Sequence, residues 1–207
     1  MRKAVLLLVG LSLVACDDFV DEDGNTSIRQ VAEGLQSLGD RMNEMGEVLA
    51  RDANIESVPW SELTEVLPTR VDGRDRLHTE GDEALDKNGA GLTVAHGHFM
   101  VDGDSAFVGV ADLGALRGGA QLALRWIAPL VAREDTDGEV EEISFDGNPA
   151  IRIRDKDGEN TFTAVLVAGR FAVFAGAEHR DHEDFVREAL REVDVRQLRR
   201  WEDYGTN

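Results

Sequence analysis

The chain has 207 residues, with 41 acidic against 22 basic side chains and a formal charge of −19. Such an excess repels nucleic-acid phosphates and anionic lipid headgroups, and no basic cluster offsets it, so DNA and RNA binding are excluded as function classes. A hydrophobic share of 42% with one cysteine describes a globular chain in which packing, and no intramolecular disulfide, must hold the core.

Arg2 and Lys3 precede an uncharged apolar run from Ala4 to Val14, followed by Ala15 and Cys16. This is the three-part layout of a secretory signal. A run of about a dozen residues falls short of the roughly 20 that a membrane-spanning helix requires. Leu13-Val14-Ala15-Cys16 resembles the lipobox of bacterial lipoproteins, which are cut before the cysteine once its sulfur carries a diacylglyceryl group.

The resemblance implies that residues 1–15 are a lipoprotein signal peptide and that Cys16 becomes the first mature residue, acylated on its sulfur and its amine. The partner it implies is a membrane, reached through lipid: two or three acyl chains hold firmly where one binds only marginally. Asp17 and Asp18 follow directly. In enterobacterial lipoproteins an acidic pair at this place keeps the protein in the inner membrane. The expected location is therefore the periplasmic face of the inner membrane in preference to the outer membrane.

Residues 16–25 read as a short acidic tether. Over 26–54, Ile28, Val31, Leu35, Leu38, Met42, Met45 and Leu49 recur at spacings of three and four, which predicts an amphipathic helix started by Thr26 or Ser27. Gly34, Gly39 and Gly46 weaken it by about 1 kcal/mol each. Gly39 and Gly46, seven apart, would let a second helix come close, so self-association or a protein partner stands beside intramolecular packing as a use for the seam.

Residues 55–207 are expected to form an α+β domain. Residues 57–68 predict a short helix, with Pro59 in its first turn, Pro68 as its stop and Trp60 as a buried anchor. A short strand is placed at Arg76 to Glu80. The stretches 92–101 and 105–113, joined through Asp102-Gly103-Asp104, predict a hairpin. Leu116 to Arg133 fits a helix that Pro129 ends or kinks. Four strands then form a meander with turns at Asp146-Gly147-Asn148, Lys156-Asp157-Gly158 and Gly169-Arg170. A last amphipathic helix runs from His182 to Val193, capped by Asp181. The expected fold is an antiparallel sheet, hairpin plus four-stranded meander, with helices on one face. The stretches VPWSELTEVLP and GRFAVFAGAEHRDHEDFVREAL resemble an uncharacterised domain of bacterial envelope proteins, which implies no chemistry of its own.

Candidate ligating residues are few. His96 and His98, two apart on a strand, point to the same sheet face, and His179 and His182 are three apart. Neutral imidazoles are common transition-metal ligands, so the four together are the candidate metal set. Gly97 and the acidic Asp181, Glu183 and Asp184 describe ordinary half-buried or solvated positions equally well, and the expectation is no cofactor and no metal. The Asp-Gly clusters lack the ligand spacing of calcium loops and read as turns. No nucleophile elbow, zinc-protease helix or phosphate-cradling loop occurs. The expected function is non-catalytic: a lipid-anchored cell-envelope protein that acts as a binding or scaffold module. The alternative is a small-ligand or metal-binding periplasmic lipoprotein that uses the sheet face near His96 and His98.

Overall fold

The computed structural model describes residues 55–85, 91–114, 139–154 and 160–206. Cys16, Asp17, Asp18, the helices expected over 26–54 and 116–133 and the turn expected at 156–158 lie outside them.

The described chain is mostly antiparallel β-structure with a few short helices. It begins with a four-residue helix α1 (Trp60–Leu63) and a 3-10 turn at Thr64–Val66. The ribbon β1 (Arg70–Val71) and β2 (Arg74–Asp75) comes next. Seven strands then build one sheet: β3 (His78–Leu85), β4 (Gly91–Val101), β5 (Asp104–Asp112), β6 (Glu139–Phe145), β7 (Asn148–Arg154), β8 (Asn160–Val167) and β9 (Phe171–Glu178). Helices α2 (Glu183–Glu192) and α3 (Val195–Arg200) close the chain.

The strand order is β3-β4-β5-β9-β8-β7-β6, with every neighbour antiparallel. The expected hairpin is β4–β5 and the expected meander is β6 to β9. They are not separate sheets, because β5 pairs with β9 from Ala106↔Ala177 to Asp112↔Phe171. Two-residue turns at Asp102-Gly103 and Asp146-Gly147 hold both residues at positive φ, the backbone twist that suits a tight hairpin.

Strand alternation sorts the side chains onto two faces. One face carries Ala95, Phe99, Val108, Val110, Val165 and Val173, and buries them against Val58, Leu63, Val66 and helix α2. Phe185 of α2 meets Phe99 edge to face at 5.6 Å. The other face carries Phe107, Phe162 and Phe174, all buried, with ring centroids 6.2 to 6.3 Å apart. Gly109 lies opposite Phe174 and Gly176 opposite Phe107, so each glycine is covered by the ring across from it.

Several local expectations are corrected. The 57–68 segment is helical only from Trp60 to Val66 and is extended by Leu67. Trp60 is not a buried anchor: it is 38% exposed, and its ring lies against Gly81 at the sheet edge while Leu63 and Leu67 take the buried positions. The strand placed at Arg76 to Glu80 runs instead from His78 to Leu85, because pairing with β4 carries it through Gly81, Asp82 and Glu83. Those acidic residues suit an edge strand, where charge discourages further pairing.

The last helix starts at Glu183, with His182 and not Asp181 at its cap, because residues 180–182 form a 3-10 turn. Helix α3 has no counterpart in the sequence reading; its N-cap is Asp194, whose carboxylate accepts from Gln197 N at 3.0 Å. Among the described residues no helix is long and apolar enough to cross a membrane.

Candidate functional site

His96 and His98 lie on β4, next to the edge strand β3. The register sets His78 directly opposite His98 and Glu80 directly opposite His96. Residues two apart share a face, so three imidazoles and one carboxylate form a two-by-two patch on one side of the β3–β4 edge. Of this patch, His78 and Glu80 were absent from the sequence-predicted set. The signal that could have found them is the parallel spacing of His78-Thr79-Glu80 and His96-Gly97-His98, but it carries meaning only once β3 is known to pair with β4 in this register.

All three rings turn Nε2 toward the Glu80 carboxylate. The separations are 3.3 Å from His78 to Oε1, 3.4 Å from His96 to Oε2 and 3.8 Å from His98 to Oε2. The His78 and His98 rings are stacked at 4.2 Å, and His96 meets His98 edge-on at 4.8 Å. The patch grades from open to closed: the His78 and Glu80 side chains are 53% and 59% exposed, those of His96 and His98 14% and 10%.

Burial decides the protonation of the inner pair. It is the main cause that pushes the His98 imidazole down to about 4, helped by the neighbouring His96 and His78 and opposed by Glu80. Burial also lowers His96, against the pull of the Glu80 carboxylate. His98 Nε2 is fully enclosed and has no hydrogen-bond partner. An unpaired buried polar atom costs about 1–3 kcal/mol, so this nitrogen is an uncompensated cost in the fold.

The four sequence-predicted histidines do not form one site. His179 and His182 meet each other edge-on at 6.3 Å, and His182 Nε2 contacts Asp104 Oδ2 at 2.9 Å at the start of β5. His98 instead lies opposite Phe107, further along that strand. Among the described residues, the group with the spacing to hold a metal ion is His78, Glu80 and His98, whose ligand atoms all lie within 4.8 Å of one another.

Away from the patch, a concavity of about 390 Å³ lies between α2 and strands β6 to β8, with Ile143, Phe145, Arg152, Val186, Leu190 and Arg191 in its lining. Its cations face carboxylates: Arg152 lies 3.4 Å from both Glu141 and Glu183, and Arg191 lies 3.8 Å from Asp146. This mixed charge selects no ligand class. Comparison with protein families, with curated proteins and with solved structures finds no match to this chain.

Proposed function

We propose that this is a lipid-anchored cell-envelope protein, acylated at Cys16 and held at the periplasmic face of the inner membrane, that acts by binding and not by catalysis. Its binding site is the patch of His78, Glu80, His96 and His98. The observation that carries this reading is the buried and unpartnered Nε2 of His98, aimed at a carboxylate that two further imidazoles share. A few polar groups converging on one point are a recurring element of small recognition sites.

The lipobox and the acidic tether support the location, and Asp17-Asp18 support retention at the inner membrane. The 26–54 seam supports a role for self-association or a protein partner in presenting the site. Imidazoles around one carboxylate suit holding a ligand, which favours a binding protein over a hydrolase.

A native mass spectrum of the full chain, extracted from its own envelope in mild detergent, tests the reading. The expected mass is the chain from Cys16 with its acyl groups, plus a non-covalent adduct that His98→Ala removes. An unacylated chain with its leader, or the same mass difference between bare chain and adduct in wild type and His98→Ala, would overturn it.

A further inference from the structure

We infer that the patch takes a divalent transition-metal ion, with His78, the Glu80 carboxylate and His98 as ligands and His96 as the residue that positions Glu80. The inference rests on the binding reading above and names the ligand class.

The donor set makes the first selection. Two imidazole nitrogens and one carboxylate oxygen suit zinc, copper, nickel or iron, whereas calcium and magnesium need cages built mainly of oxygen. Geometry makes the second. Metal–ligand bonds of about 2.0–2.2 Å place the ligand atoms of a tetrahedral site about 3.4 Å apart. Glu80 already stands 3.3 Å from His78 and 3.8 Å from His98, and the widest separation in the trio is 4.8 Å.

Closing the trio around an ion therefore needs a movement of a little over an ångström, by the two side chains free to make it. His78 and Glu80 are more than half exposed and sit on the edge strand, while His98 is fixed by burial. His78 also has to leave its stacked position on His98, since parallel rings do not aim their lone pairs at one point. An ion bound there gives His98 Nε2 the partner that it lacks. His96 stands apart from the trio and contacts Glu80 Oε2 at 3.4 Å, the place of a group that orients a ligating carboxylate. Three protein ligands leave at least one coordination position toward solvent, so the ion is exchangeable.

The test is a zinc titration of the acylated full chain in detergent, against a chromophoric chelator, with cobalt(II) absorption as a second readout. One zinc ion per chain is expected. Affinity should fall about 100-fold in His78→Ala and in Glu80→Gln, and about 10-fold in His96→Gln, with His182→Gln unchanged. The exposed positions 78 and 80 allow these variants to keep their fold, which an unchanged melting temperature without metal checks. Equal zinc affinity in wild type, His78→Ala and Glu80→Gln, or an equal loss in His182→Gln, would overturn the inference. A native spectrum with an organic adduct that His98→Ala removes, together with no zinc uptake, would end the metal assignment and leave the binding reading intact.

Discussion

Arg170 and Asp112 form an ion pair with no solvent exposure on either side chain, closed by two hydrogen bonds of 2.8 and 2.7 Å. Neither partner has spare capacity. Arg170 also donates to the carbonyls of Tyr204, at 2.6 Å, and Glu56, at 2.9 Å. Asp112 accepts from the backbone of Val58 and Gly114, both at 2.8 Å. One charge pair thus ties the start of the described chain, the end of β5 and the C-terminal turn together.

Removing one member of a buried pair strands the other charge, at a cost of about 3–5 kcal/mol. Asp112→Ala is expected to lower stability by that amount and to free the C-terminal turn, visible as faster amide exchange at residues 201–205. An unfolding free energy from urea melts within about 1 kcal/mol of wild type would contradict the role given to the pair.

The second sheet face makes a packing prediction. A Cβ at Gly109 would come within 2.5 Å of the Phe174 ring and 2.8 Å of the Ala95 carbonyl. Gly109→Ala should therefore cost about 1–3 kcal/mol as overpacking. Adding Phe174→Leu should recover only part of the loss, because the Ala95 backbone cannot retreat. Full recovery in thermal melts would show that the ring alone sets the cost.

His98 gives the chain an acid-sensitive limb. Its imidazole is neutral in the folded state down to about 4, whereas in the unfolded chain it protonates near its ordinary 6.5. The unfolded state therefore binds the extra proton between these values: stability is complete above pH 6.5 and is lost as pH falls toward 4, by roughly 3 kcal/mol at most. His96, lowered by the same burial, acts in the same direction, while Glu80 opposes both and the exposed His78 adds repulsion once charged. Urea midpoints in chelator at pH 7 and pH 4.5 measure this. His98→Gln, which does not titrate, should flatten the difference; an unchanged pH response in that variant would show that the acid limb lies elsewhere.

The proposed lipid anchor is tested by substitution at Cys16 and Asp17. Cys16→Ser should abolish incorporation of labelled palmitate and leave the leader attached. If the proposed retention holds, wild type should band with the inner membrane on a density gradient and Asp17→Ser should shift in part to the outer-membrane fraction. Unaltered palmitate labelling in Cys16→Ser would refute acylation at that residue.

Much of the sheet was legible in the chain itself. Short apolar and β-branched runs bounded by turn residues marked β4 to β9 to within a residue or two, and Asp-Gly pairs marked two of their turns, because both signals are local and act within a few residues. β3 was read short for the opposite reason: Gly81, Asp82 and Glu83 carry no alternation, and only hydrogen bonding to β4 keeps them extended. Trp60 was misplaced because a large apolar side chain is expected inside, while here a glycine on the edge strand offers it a half-open seat.

By itself the sequence determined the strong acidity of the chain and which residues of each strand share a face. Which strands lie side by side was decided by the tertiary structure alone. Side-chain periodicity tells a residue which face it points to, whereas its neighbour across the sheet depends on backbone pairing between segments far apart in the chain. For that reason His96 and His98 were visible as a pair but their partners His78 and Glu80 were not, and Arg170, placed in a turn by the sequence, proved to be the buried mate of Asp112.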